Sequence, residues 1–266
     1  MKSIIQKWYS KLGFPKEYDE EFYRILENST LDADTAKKSW EEIADPVQIL
    51  LAYLYRCEAL SEKYTELGIG EDILLDTLSD IVIWTNNHYA IHGKLGVTAE
   101  SWLDGHLRGN IYRLGRLQFG PSKAELDIPE LGVKQGDNIM TVHIPQGESM
   151  DIDACRESLS RANKFFRKYF PEYEWCCFTC HSWLLDDTLL SFVRDDSNIA
   201  KFARLFTVFS REISDAALKY VFRFEATRES LDSFDAKTSL AKKIKEHISA
   251  GGVLYSALGY IPRQNY

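Results

Sequence analysis

The densest group of reactive side chains in the chain is Cys176-Cys-Phe-Thr-Cys-His-Ser182, which holds three of its five cysteines. Cys177-x-x-Cys180-His181 has the spacing that attaches a c-type haem. That chemistry needs an exported chain and two thiols on one side, and on a strand Cys177 and Cys180 face opposite sides of the sheet. A thioredoxin-like pair fails in the same way, because it belongs at a helix start. Zinc would need a second ligand pair at characteristic spacing, which the sequence lacks. These thiols therefore read as small buried hydrophobes, reduced and outside any disulfide framework, with no metal site expected.

The other candidates are histidines. His143 stands just before Pro145-Gln-Gly147, and His181 and Ser182 lie on the strand that follows in sequence. If the two strands are neighbours, these polar groups meet at one mouth of the sheet, as a base with its partners or as satisfied structural residues. The adjacent acids Asp186-Asp187 and Asp195-Asp196 read as helix-start charges. A G-x-S-x-G elbow, a phosphate-binding Walker loop and an H-E-x-x-H pair are all missing.

The segment that must position these residues is a strand, a turn and a helix. Asn138-Ile-Met-Thr-Val-His-Ile144 is β-branched and apolar, and Pro145, Gln146 and Gly147 end it. With Asp153 as N-cap, Cys155, Leu159, Ala162, Phe166 and Tyr169 continue at helical spacing to about Phe170. Backbone N–H groups beyond the strand end suit a phosphate or a developing oxyanion. The competing reading is an ordinary βα unit whose helix start is satisfied by Glu148, Asp151 and Asp153.

Ahead of this segment the periodicity is helical. The spacing predicts helices over 4–12, 20–27, 32–43, from Pro46 through Cys57, and over 71–90, with Thr98 capping a short helix through Leu103. Ile111 to Phe119 alternates as one strand turned by Gly120-Pro121, and another short strand precedes Pro129. Strands are also expected over 174–185, 221–224 and 253–261, with helices starting at Asp186 and Ser197 and running over 240–248. The order predicts an α+β chain: an all-helical N-terminal domain, 1–110, followed by a mixed-sheet α/β domain, 111–266.

The 266 residues fill a sizeable core at 45% hydrophobic content, and the formal charge of −8 argues against nucleic-acid or anionic-membrane binding. No apolar run has the length of a membrane span and no secretory h-region opens the chain, so a cytoplasmic location is expected.

Arg113-Leu-Gly-Arg-Leu-Gln-Phe119, His143-Ile-Pro-x-Gly147, Ser182-Trp-Leu-Leu185 and Ser197-Asn-Ile199, behind a helical N-terminal half, resemble a bacterial group of acyltransferase-domain proteins. In that group a helical domain precedes a C-terminal domain similar to GNAT N-acyltransferases. The resemblance implies acyl-CoA, such as acetyl-CoA, as co-substrate and an amine of a small molecule or peptide as acceptor. It makes Thr141 to Pro145 the central strand and Gln146 to Met150 the turn for the CoA pyrophosphate. Trp175 to Leu185 becomes the strand that splays to admit pantetheine, and Leu254 to Tyr260 the closing strand. Ile144, Pro145, Gln146, Gly147, Ser149 and Trp183 become cofactor-binding residues. His143 or Glu148 would serve as base, the amides after Pro145 as oxyanion donors, and Ser182 or Tyr255 as acid. One feature departs from the GNAT pattern: the signature Gln/Arg-x-x-Gly-x-Gly/Ala is replaced by Gln146-Gly-Glu-Ser-Met150, with one glycine and an acid. The alternative this suggests is a catalytically inactive GNAT-like binding or scaffolding protein.

Overall fold

Apolar residues at helical spacing build the first part of the chain. In the computed structural model, which describes residues 1–266, they form α1 (Lys2–Leu12), α2 (Asp19–Asn28), α3 (Trp40–Ile43), α4 (Pro46–Leu67), α5 (Glu71–His92) and α6 (Glu100–Leu107). Gly13 ends α1 in the left-handed conformation, where a side chain would be strained. Asp45 caps α4, its carboxylate accepting from Val47 and Gln48 N–H, and Pro46 follows at the first helical position. Ile49 through Leu54 are all buried, so this stretch of α4 is covered on every side.

Two expectations here are corrected. The span 32–43 is not one helix: Lys38 is extended, and Ser39 with Glu42 builds a capping box that starts α3 afresh. Thr98 does not cap α6. Ala99 takes the capping position with φ 58°, and the Thr98 hydroxyl turns back to the Trp84 carbonyl.

The second part contributes β1 (Tyr112–Arg113), β2 (Gln118–Lys123), β3 (Asn138–His143), α7 (Ile152–Tyr169), β4 (Cys177–Ser182), α8 (Asp187–Leu190), α9 (Asn198–Ala203), β5 (Thr207–Ile213), α10 (Ala216–Val221), α11 (Ser239–Ser249) and β6 (Tyr255–Pro262). The strands lie in one mixed sheet in the order β1-β2-β3-β4-β6-β5. The chain is therefore α+β, helices first and mixed sheet after, as expected.

Several sheet expectations change. Residues 111–119 form a hairpin instead of one strand, because Gly115, at φ 90°, reverses the chain and Leu114 N–H donates to the Leu117 carbonyl. Gly120-Pro121 falls inside β2. Pro121 is tolerated there because β1 reaches only Phe119, leaving the far half of β2 without a partner on that side. The strand expected before Pro129 is only a bridge, Ile128 to Val133. The strand expected over 221–224 does not exist: Val221 ends α10, and β5 takes its place in the sheet. The strand expected over 174–185 is confined to β4, with a 3-10 turn over Trp183–Leu185.

Two compact units divide the chain. One comprises Met1–Gly120 with Ile144–Glu148, the other Pro121–His143 with Ser149–Tyr266. In the first, Trp8, Tyr53, Leu54 and Cys57 are fully buried, each large apolar side chain contributing about 1.5–3 kcal/mol. In the second, successive residues of β3 and β4 face opposite sides. Met140, Val142, Phe178 and Cys180, all buried, share the face on which α7 lies; Tyr266 links the two, with its ring 6.3 Å from Phe178 and its carbonyl accepting from Asn163 of α7. The other face carries Ile139 and Cys177, packed with Ile128, Val133 and Tyr260.

The first unit also buries two histidines. Burial holds both His88 and His106 below the ordinary imidazole range; Asp80 pulls His106 the other way without reversing it. A histidine whose folded pKa is depressed binds fewer protons folded than unfolded. Its stabilisation is complete above about pH 6.5 and drains away as pH falls below that. Urea unfolding midpoints are therefore expected to fall between pH 7.5 and pH 5.5, and H88Q should flatten part of that slope.

Candidate active site

Parallel pairing of β3 with β4 covers only Met140 with Phe178 and Thr141 with Thr179. On its other side β4 continues antiparallel to β6 through Ser182, opposite Ala257. The two parallel strands therefore part beyond Thr141 and Thr179, and the next residues on the same face are His143 and His181. Both line a cavity of about 240 Å³ on that face, with Thr141, Thr179, Ile128, Ile139, Phe209 and Leu258. Ser122, Lys123 and Glu125 also line it, so it joins an apolar floor to polar and charged groups, the mix expected of a site for an amphiphilic ligand.

The two imidazoles are held differently. His143 Nε2 lies 3.0 Å from Thr141 Oγ1 on its own strand. His181 Nε2 lies 3.4 Å from Glu212 Oε1, on β5. A carboxylate beside an imidazole orients the ring and stabilises the imidazolium, the arrangement of a general base with its orienting partner. Sequence reasoning placed His181 at the mouth of the sheet but had no signal for Glu212, because β5 itself was not expected.

Ser182 and Tyr255 stand at the same end of the sheet but on the opposite face. Ser182 Oγ accepts from Leu184 N–H and caps the 3-10 turn, while Tyr255 lies under the Arg211 guanidinium and its N–H donates to Asp186. Trp183 stacks on Tyr220, with ring centroids 6.1 Å apart. Two of the three clustered thiols are spent in packing: Cys177 and Cys180 are buried, and loss of solvation pushes Cys180 up to about 12. Cys176 is exposed instead, contrary to the expectation of a buried hydrophobe. No group of three or more metal-ligating side chains comes together in the structure.

The turn after β3 belongs to the first unit, where the β1–β2 hairpin holds it. Arg116 donates to the carbonyls of Pro145 (3.0 Å) and Glu148 (2.9 Å), Arg113 to the Glu148 carboxylate (2.6 Å), and Asn87 to Gln146 Oε1 (2.8 Å). Gly147 has φ 97° and, like Glu148 and Ser149, is exposed; Ile144 is half-buried. In the second unit, Asp151 caps α7, its carboxylate accepting from Ala154 N–H. The cap is therefore Asp151 and not Asp153, so α7 starts two residues earlier than expected. Asn198 donates to Ser149 Oγ (3.4 Å).

A model of the GNAT-like C-terminal domain matches residues 111–261, and one of the N-acyltransferase N-terminal domain matches residues 5–109. The chain belongs to the acyltransferase family that joins these two domains. Among solved structures, it is similar to an acyltransferase in complex with decanoyl-CoA and teicoplanin, at 24% identity and TM-score 0.80, over 97% of this chain and 87% of that one. An acyltransferase with CoA and 10C-teicoplanin matches at 24% identity and TM-score 0.79, over 97% and 87%. An acyltransferase with decanoyl-CoA matches at 25% identity and TM-score 0.77, over 96% and 86%. No curated protein sequence matches the chain. No helix is long and apolar enough to cross a membrane.

Proposed function

We propose that the chain is an N-acyltransferase that moves an acyl group from acyl-CoA to an amine of a small molecule or peptide. The observation that carries this reading is the parting of β3 from β4 after Thr141 and Thr179, with two histidines beyond the gap. Family membership supports it, as do the acyl-CoA and teicoplanin held by the acyltransferases of similar fold.

In the reaction the amine nitrogen attacks the thioester carbonyl. The carbonyl oxygen becomes an oxyanion, and the intermediate collapses with loss of the CoA thiolate. His181, oriented by Glu212, takes the proton from the amine. His143, on the same cavity, holds the acceptor. Ser182 and Tyr255, the acids that the resemblance implies, lie on the opposite face of the sheet from this base, so the imidazolium formed on His181 returns the proton to the departing thiolate. Glu148 is less suited to act as base, because Arg113 holds its carboxylate. Ile144, Pro145, Gln146, Gly147, Ser149 and Trp183 are the residues proposed to line the donor.

Titration calorimetry with CoA, octanoyl-CoA and decanoyl-CoA tests the donor. Saturable heat is expected, and none at millimolar ligand overturns the reading. One observation favours a second reading, an inactive binding protein: the turn carries Glu148 where GNAT enzymes have a bare phosphate loop. Donor binding without thiol release, across a panel of amine and peptide acceptors that includes a glycopeptide, would establish it.

A further inference from the structure

The Arg113–Glu148 pair joins two unequal partners. The Arg113 side chain is 9% exposed, whereas that of Glu148 is 59% exposed on a turn next to a glycine at φ 97°. Three bonds hold Arg113 from the protein side, two of them at the guanidinium. Its Nε donates to the Gly115 carbonyl (3.2 Å), one terminal nitrogen donates to Ser79 Oγ (3.1 Å), and its backbone N–H donates to Thr77 Oγ1 (2.9 Å). The remaining terminal nitrogen meets only the Glu148 carboxylate in this arrangement. The neighbouring Arg116 is spent on the carbonyls of Pro145 and Glu148, so it shapes the turn and leaves Arg113 to face an anion.

We propose that Glu148 is a resident stand-in for a phosphate oxygen of the donor, and that Arg113 is the phosphate-binding residue it covers. This inference rests on the acyl-CoA reading given above. A buried cation without a partner is costly, so an acid is retained to pair it before the donor arrives. The guanidinium fork binds phosphate at least as well as carboxylate, and a phosphate adds no loss of order because the fork is already held in place. The exposed carboxylate can swing into water at little cost, whereas the buried arginine cannot. The acid that breaks the GNAT glycine pattern is, on this view, the counter-ion that the donor phosphate displaces.

The sign of the effect makes the proposal testable. E148A should bind acyl-CoA about tenfold more tightly than the unmodified chain, because the donor no longer competes with a tethered anion. Binding of acyl-pantetheine, which has no phosphate, should not change. R113K in the E148A background should abolish the gain, and a thermal melt of each variant confirms that it folds. Unchanged or weaker acyl-CoA binding by E148A overturns the proposal, as does an equal gain with acyl-pantetheine. If the unmodified chain binds no acyl-CoA while E148A binds inorganic pyrophosphate in an Arg113-dependent manner, the seat stands and the transferase reading falls. If neither binds, both fall.

Discussion

H181Q is expected to lower the turnover of acyl transfer by about 10²–10⁴-fold, the range that one positioned general base supplies, with acyl-CoA binding essentially unchanged. The imidazole lies on the cavity floor beyond the last β3–β4 pair and has a carboxylate from β5 at 3.4 Å. Glutamine keeps a polar group there but accepts no proton. E212Q should cost less, because it leaves the base and removes only its orienting partner. That loss should fall on turnover and spare the Michaelis constant for the donor. H143Q should raise the Michaelis constant for the acceptor more than it lowers turnover. Imidazole added to H181A distinguishes a chemical role from a packing one, since only a missing proton acceptor is restored by it. Steady-state kinetics on the four variants decides the matter. Full activity in H181Q with loss in H143Q reverses the assignment, and full activity in both removes this mouth of the sheet from the reaction.

D80A should destabilise the chain by about 1–3 kcal/mol for each donor it strands, the cost of leaving a hydrogen-bonding group unsatisfied inside the protein. Asp80 is 2% exposed on α5 and accepts from Trp102 Nε1 and Gln118 Nε2, each at 2.7 Å, with His106 Nε2 at 3.5 Å. Alanine leaves the buried Gln118 amide, on the first residue of β2, and the half-buried Trp102 indole N–H, on α6, without this acceptor. Those residues fix the hairpin that carries Arg113 and Arg116, so the damage should extend to the turn at 144–148. Urea unfolding measures the stability. A loss under about 1 kcal/mol would mean that water reaches the site or that the network relaxes around the gap.

The helical part of this chain was legible because its apolar stripes repeat at the helix period and its ends are marked, as at Gly13 and at Asp45-Pro46. The helix over 32–43 was overread because its apolar residues suit a helix, while the break depends on one extended residue, Lys38. Strand β3 was legible from its β-branched run. Strand β5 was not: it is an edge strand, and Thr207-Val-Phe-Ser-Arg-Glu-Ile213 is exposed along most of its length and shows no alternation. That omission hid Glu212, and with it the partner of His181. The meeting of the two histidines could be argued from the sequence only as conditional on β3 and β4 being neighbours, which the parallel pairing supplies. The Arg113–Glu148 contact spans 35 residues and had no local signal. Only the odd acid in the turn pointed to it.

The irregularity between Val208 and Ser210 has a consequence for how the molecule behaves at high concentration. An open sheet margin invites other chains to add to it, and long straight margins are where ordered aggregates begin. Here an arriving segment would find its register interrupted after two residues and would then meet the charged side chains of Arg211 and Glu212. The kink and the charges together guard this margin against fibre growth, although Ile213 at its tip is 66% exposed.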